Sequence, residues 1–345
     1  MPDHVEGVHL ARTEENAAEI DALADACGGR VGLTAVLGDL NRRGRRAWAP
    51  GLATRHAFTW DAEDRRTPQW WPQGITTSAD AAPSGRVDGR ELLMASWYAK
   101  PDPSGHQGSR VSVVDLATHH YRHVLLVVPS LDADGRPEVK PLKVHAGGIV
   151  WNGPYLHVAA TARGLVTCHL DDLVRVPDGS ALKTFGYRYV LPVRFAYEGV
   201  TEEGHERLRY SFVSLDRQTS PPHLLAGEYA LGKRTRRLAR YALGSGGLLE
   251  TDEDGTARPI GLDEGVQQTQ GAVWAHGSYH LTVSHGPWVP GSVVVGRPGA
   301  YVRHRWATPM GPEDVSYWPA TDQLWSLSEH PHRRWVFAMD RSRFA

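Results

Sequence analysis

Gly148-Ile149-Val150-Trp151-Asn152-Gly153-Pro154-Tyr155-Leu156-His157-Val158 reads as a hairpin. A short apolar strand ends in Trp151, Asn152-Gly153-Pro154 supplies a tight turn, and a strand of alternating character follows, the pattern of a two-stranded antiparallel unit. The phrase recurs as Ala272-Val273-Trp274-Ala275-His276-Gly277-Ser278-Tyr279-His280-Leu281 and as Ser316-Tyr317-Trp318-Pro319-Ala320-Thr321-Asp322-Gln323-Leu324-Trp325-Ser326-Leu327. Trp274 and Trp318 are 44 residues apart, the length of one four-stranded repeat; Trp151 and Trp274 are 123 apart, which fits two repeats with insertions. A second, more charged hairpin type occurs over 109–127, 227–243 and 291–306. Its alternation suits strands with one wet face.

Inner plus outer hairpin makes a four-stranded blade. The expected blades cover 72–130, 143–178, 186–244, 269–308 and 312–340. The last supplies only three strands, at 313–318, 323–328 and 333–339, and a segment near 55–60 on the N-terminal side is expected to close the ring and leave no open edge. On these repeats the chain resembles the β-propeller superfamily of the five-bladed type, over roughly 55–340. The expected fold is all-β, with six blades as the alternative if Leu248-Leu249 and Arg258–Leu262 form a hairpin of their own. Residues 13–27 differ: apolar Ala17, Ile20, Leu23, Ala24 and Cys27 recur at helical spacing behind Glu14 and Glu15, and Gly28-Gly29 ends the run. Residues 1–50 are therefore read as an N-terminal helical extension that packs on the propeller or plugs its channel, and 51–345 as the propeller.

Composition supports this reading. Gly 36 and Pro 23 make up about 17% of 345 residues, against an average of about 12%, as many turns require. Lys+Arg 38 against Asp+Glu 39 gives a net charge of −1, which argues against a nucleic-acid partner held by charge. Arg42-Arg43-Gly44-Arg45-Arg46 reads as an exposed loop and Lys233–Arg237 as a hairpin tip, neither with a flanking base-stacking platform. No charged leader runs into an apolar stretch and no run approaches 18 apolar residues. With Cys27 and Cys168 far apart and outside any CxxC, the expectation is a cytoplasmic protein with reduced thiols and no membrane partner.

The architecture nominates site residues. In propellers the innermost strand of each blade starts at one face of the channel, and the loop between the second and third strands returns to it. The strand starts are Gln73, His145, a position near Tyr187–Tyr189, Gln270 and Glu313-Asp314. The second-strand ends are Trp97-Tyr98, Arg163, Ser214–Arg217, Ser284-His285 and Glu329-His330. Strand interiors are apolar while these ends are polar, ionisable or aromatic, as a ligand site needs. His145 precedes Ala146-Gly147-Gly148, where glycines permit close backbone approach. Glu313 and Asp314, being adjacent, point to opposite faces of a strand. Ser284, His285 and Asp216 have triad composition but lack the Gly-x-Ser-x-Gly elbow.

Propeller architecture says little of function. The leading expectation is a hydrolase, lyase or cyclase working by acid/base chemistry on a small, aromatic or apolar molecule at the channel mouth. His145, Glu313 and Asp314 would be catalytic. Gln73, Gln270, His285, Glu329 and His330 would hold substrate, Arg163 would meet an anionic group, and Trp97 and Tyr98 would wall the pocket. A metal-assisted variant places a divalent ion on His145 and Glu313. The competing expectation is a non-catalytic propeller that binds a glycan, peptide or protein.

Overall fold

A computed structural model of the protein describes residues 5–101, 105–244 and 246–344; the first four residues of the expected extension lie outside that set. The chain begins with β1 (Val8–Arg12), α1 (Ala17–Ala26), α2 (Gly32–Leu37), β2 (Arg42–Arg43), β3 (Arg45–Arg46), β4 (Thr54–Thr59) and α3 (Ala62–Arg66). A first meander follows: β5 (Trp70–Thr77), then the short α4 (Ser78–Ala81), β6 (Leu92–Ala99), β7 (Ser109–Asp115) and β8 (His120–Leu131), with β9 (Pro137–Pro141) folded back on β8. The second comprises β10 (Ile149–Asn152), β11 (Tyr155–Ala159), β12 (Gly164–His169), the short β13 (Val174–Arg175) and β14 (Tyr189–Thr201). The third is β15 (Phe212–Asp216), β16 (His223–Gly227), β17 (Arg237–Ala242), a two-residue β18 (Thr256–Ala257) and β19 (Gly261–Glu264). The fourth is β20 (Thr269–Ala275), β21 (Ser278–Val283), β22 (Ser292–Arg297) and β23 (Ala300–His304); the last is β24 (Pro312–Trp318), β25 (Gln323–Ser328) and β26 (Trp335–Asp340).

The architecture is an all-β propeller. Each meander runs antiparallel from an innermost strand outward. The innermost strands β5, β10, β15, β20 and β24 touch their neighbours in that cyclic order, β24 returning to β5. Apolar clusters lie between successive meanders, such as Trp97, Ile75 and Leu93 against Leu327 and Val336. Outside, β26 pairs with β4, Val336 opposite Phe58, so the last sheet takes its fourth strand from the N-terminal side.

At one level the innermost strands come unusually close. A Cβ on Gly74 would stand 2.8 Å from the Gly148 carbonyl carbon, one on Gly271 2.6 Å from Asp314 Cα, and one on Gly148 would collide with Phe212 and Val213. Only glycine allows these backbones to meet, and they form a narrow neck below the upper mouth of the channel. Hydroxyls tie strands at the same depth: Ser96 Oγ donates to Ala146 O at 2.7 Å and Thr282 Oγ1 to Glu313 O at 2.6 Å.

The expected blade over 186–244 is cut differently. Tyr189–Thr201 is the outer strand of the second meander, paired with β12, and the next innermost strand is Phe212–Asp216. The sequence between β12 and β14 is an insertion carrying a Pro177-Asp178-Gly179 turn, which reads from sequence as a break between blades. Hence neither Tyr187 nor Tyr189 starts an innermost strand. Ser214–Arg217 lies on the lower half of one and just beyond it, and Arg217 donates to the Asp80 carbonyl there. The pair that would make a separate blade at 248–262 does not form: Ala257 pairs with Leu10 of β1, and Gly261–Glu264 with β17. α1 buries Leu23, Ala24 and Cys27 against Leu125, Val127 and Val190, on the outer strands and away from the channel. Among the described residues no helix is long and apolar enough to cross a membrane.

Candidate functional site

Three innermost strands break register at their upper ends. The irregularities fall between Pro72 and Ile75, between Thr269 and Gly271, and between Pro312 and Val315. The residues released from pairing are Gln73 and Gly74, Gln270, and Glu313 and Asp314. A bulge re-aims a side chain that would otherwise alternate in or out of a blade, and here Gln73 and Glu313 both reach Glu329.

Two carboxyl groups meet there. Glu313 is buried, and a hydrogen bond joins its carboxyl to that of Glu329, which follows β25. Burial pushes the Glu313 carboxyl far above its ordinary range, with the Glu329 and Asp314 charges adding to it. Glu329 is raised too, chiefly by burial, but Gln73, Lys100 and Arg334 all favour its charged form. The contact therefore favours the proton on Glu313 over Glu329. Gln73 Nε2 donates to Glu329 Oε2 at 3.0 Å and to Pro72 O at 2.9 Å, which fixes the outer carboxylate.

Around the pair stand aromatic rings and two cations. Tyr98 stacks on His145, centroids 4.4 Å apart and planes tilted 38°. Burial and the two glutamates push the Tyr98 hydroxyl up to about 12. His145 reaches solvent on one side, yet protein crowds its other sides and lowers its pKa. Lys100 Nζ lies 3.4 Å over the Trp71 ring. Arg334 is wholly buried, donates from Nε to Glu329 O at 2.7 Å and from Nη1 to Asp64 O at 2.6 Å, and keeps Nη2 without a hydrogen-bond partner. Burial holds its pKa down at about 10. His330 Nε2 is 3.6 Å from Glu329 Oε1, its ring edge-on to Trp71. Tyr229, beyond β16, is close enough for both glutamates to raise its pKa, after burial.

The structure thus brings Gln73, Tyr98, Glu313, Glu329 and His330 together, with His145 against Tyr98. Other expected residues go elsewhere. Trp97 is wholly buried, donates to Ser112 Oγ at 2.8 Å and packs edge-on to Trp60, so it belongs to the inter-blade core instead of a pocket wall. Strand alternation explains this, since Tyr98 takes the opposite face. Asp314 lies below the mouth with no solvent contact, and its Oδ2 accepts from Ile75 N–H at 3.1 Å and Ile149 N–H at 3.4 Å. Arg163 is exposed on the turn before β12, and the cations felt by Glu329 are Lys100 and Arg334 instead. His285 Nε2 is bonded to Ser292 Oγ at 2.9 Å. Gln270 sits at its bulge.

His145 and Glu313, expected as metal donors, have different partners, and among the described residues no three His, Cys, Asp or Glu side chains are grouped to hold an ion. Both cysteines are buried free thiols. A Ser-His-Asp line does exist, but not where composition placed one. Ser112 Oγ and His123 Nδ1 are 2.9 Å apart, and His123 Nε2 is 2.9 Å from Asp64 Oδ2. Ser112 is fully buried, so the line is a packing relay without a reachable nucleophile.

Lys100, Tyr229 and Arg334 were not singled out by sequence. Arg333-Arg334 opens the strand expected at 333–339, and only the fold drives the second guanidinium inward.

No protein-family model matches the chain and no curated protein sequence matches it. Similar solved structures include a GH43_1 enzyme from Xanthomonas citri, 12% identical over 93% of this chain and 92% of that one, with a TM-score of 0.41. The β-propeller domain of Myceliophteria thermophila Cps50 (Swd1) is 9% identical over 78% and 96%, with a TM-score of 0.35. Kuenenia stuttgartiensis hydrazine synthase is 14% identical over 77% and 76%, also at 0.35.

Proposed function

We propose that this chain is a five-bladed propeller enzyme that moves a proton on a small organic molecule seated over the Glu313–Glu329 pair, with residues 1–50 as an outer extension. The observation that carries this reading is the buried Glu313 carboxyl, its pKa raised, in contact with Glu329, with Trp71 edge-on to His330 and Tyr98 stacked on His145 nearby. A general acid needs a proton at neutral pH, and burial beside a second carboxylate is a way to keep one. Glu329, which Gln73 orients, receives or relays that proton. Arg334, with one unpartnered N–H pair, is suited to steady negative charge on a leaving or enolising oxygen. His145, with its lowered pKa, is a neutral base on the facing side. Asp314 serves to hold the neck, since it meets no solvent.

The pair does not suit two-carboxylate glycoside hydrolysis. That chemistry needs the groups about 5–5.5 Å apart for retention, or about 6.5–9.5 Å for inversion, and these two are hydrogen-bonded. Elimination, cyclisation or hydrolysis of an activated bond, each initiated by one proton, fits better.

The test is a ligand-detected NMR screen of small aromatic and apolar molecules, each hit then incubated with enzyme and followed for product. Turnover that disappears in Glu313→Gln and Glu329→Gln variants of unchanged melting temperature supports catalysis. Hits that bind, never react and lose less than about tenfold in affinity in either variant would move the protein to the recognition class.

A further inference from the structure

A second cavity lies at the other end of the same strand. Glu313 is the second residue of β24 and Trp318 ends it, about 17 Å away at roughly 3.3 Å per residue. There a cavity of about 530 Å³ is walled by Trp48, Phe58, His119, Trp318 and Trp325, with Arg46 at its rim. Trp48 is 83% exposed, although it is the largest kind of apolar side chain. The indole N–H of Trp325 has no hydrogen-bond partner.

The cavity opens into a basic trough of about 920 Å³, with which it shares Arg46, Leu116 and His119 and which continues past Arg43 and Arg45. Among the described residues no carboxylate is within ion-pair reach of Arg43, Arg45 or Arg46, whereas neighbouring Arg42 pairs with Asp61 at 2.7 Å. The wall is stiff. Arg43 pairs with His120 of β8, Arg45 with Thr59 of β4, and Gly44 N–H donates to His119 O at 2.9 Å. Gly44 is required there, because a Cβ would stand 2.8 Å from Thr59 O. The segment expected to be an exposed loop is thus laced between two outer strands, and the aromatic platform it lacked in sequence is assembled from Trp48, Trp318 and Trp325.

We infer that this lower cavity binds a free small molecule that joins a planar aromatic ring to a phosphate, the ring lying against Trp48, Trp318 and Trp325 and the phosphate in the trough of Arg43, Arg45 and Arg46. Stacking and cation–π contact suit the ring, and guanidiniums lacking carboxylates suit a dianion. A monoanionic carboxylate would leave two of the three uncompensated. Burial, then Arg46 and Arg43, lower the His119 pKa, so the trough is already positive without a charged imidazole.

Isothermal titration with adenosine 5′-monophosphate tests this, with adenosine and inorganic phosphate as half-ligands and a ten-residue oligoadenylate as the strand control. The expected result is sub-millimolar affinity for the monophosphate, with each half-ligand at least about tenfold weaker. Arg46→Ala and Trp48→Ala, both of exposed side chains, should each weaken it by about tenfold or more with no change in melting temperature. Glu329→Gln should leave it unchanged. Absence of binding at about 10 mM, indifference to both lower-face variants, or sensitivity to Glu329→Gln would overturn the site. Oligoadenylate binding more than about tenfold tighter than the monophosphate would overturn the free-ligand reading in favour of a strand.

Discussion

Glu313 and Glu329 meet at the adjacent ends of the paired strands β24 and β25, both largely buried, and their contact favours the proton on Glu313. Infrared difference spectroscopy reads this directly. Wild type minus Glu313→Gln at pH 7 should show the C=O stretch of one protonated carboxyl. A difference spectrum with only ionised carboxylate bands would refute the proton on Glu313.

The same pair sets a pH trend in stability. The folded-state pKa of Glu313 is raised, so above its ordinary value of 4.5 the unfolded chain releases a proton that the folded chain retains. Stability is then lost as pH rises towards the folded pKa. Glu313→Gln keeps an amide donor and removes that loss. Its melting temperature, relative to wild type, should climb between pH 5 and pH 8; a constant offset would mean Glu313 is ionised in the folded protein.

Buried histidines impose the opposite trend. Burial depresses His123, His157 and His280 to about 4 from 6.5. Between those values the unfolded chain takes up protons that the folded chain refuses, so their contribution is lost as pH falls from 6.5 to 4. His157 lies between Thr167 Oγ1 at 3.0 Å and Gly247 O at 3.1 Å. His157→Gln should flatten the acid limb of a melting-temperature profile while lowering stability at pH 7 by about 1–2 kcal/mol.

Asp314 reaches amides of two other innermost strands, Ile75 and Ile149. Asp314→Ala should cost about 2–4 kcal/mol in urea unfolding, because two buried N–H groups lose their acceptor. Asp314→Asn keeps a carbonyl acceptor and should cost under about 1 kcal/mol. Equal losses would show that the role is charge and not hydrogen bonding.

Removing residues 1–60 strips β3 and β4 from β26 and bares its edge. Light scattering should then show oligomers or aggregates, as bare edges give; a stable monomer would mean the edge is covered by other means.

Sequence displayed the hairpins because turn residues and Trp recur in phase. It misplaced the third inner strand, since the 170–188 insertion has the same polar, proline-marked look as an inter-blade loop. At the mouth, Gln73, Glu313, Glu329 and His330 were legible as polar ends of apolar strands. Trp97 was misread because adjacent aromatics on one strand cannot both face one pocket. Arg334 was invisible: its burial depends on Asp64, 270 residues away, offering a carbonyl. The bulges that turn Gln73 and Glu313 towards the channel leave no mark in hydrophobic period.

The β4–β26 pairing joins Phe58 to Val336, so a strand made early in synthesis waits for its β26 partner until the ring is nearly complete. Ring closure is thereby a late, slow event, carrying the entropy of a very long loop. Joining residue 345 to residue 1 and reopening the chain at the 286–290 turn would shorten the loop that this clasp closes. Such a permutant should form its last sheet early, and the propeller's slowest step would pass to whichever seam had become the new break.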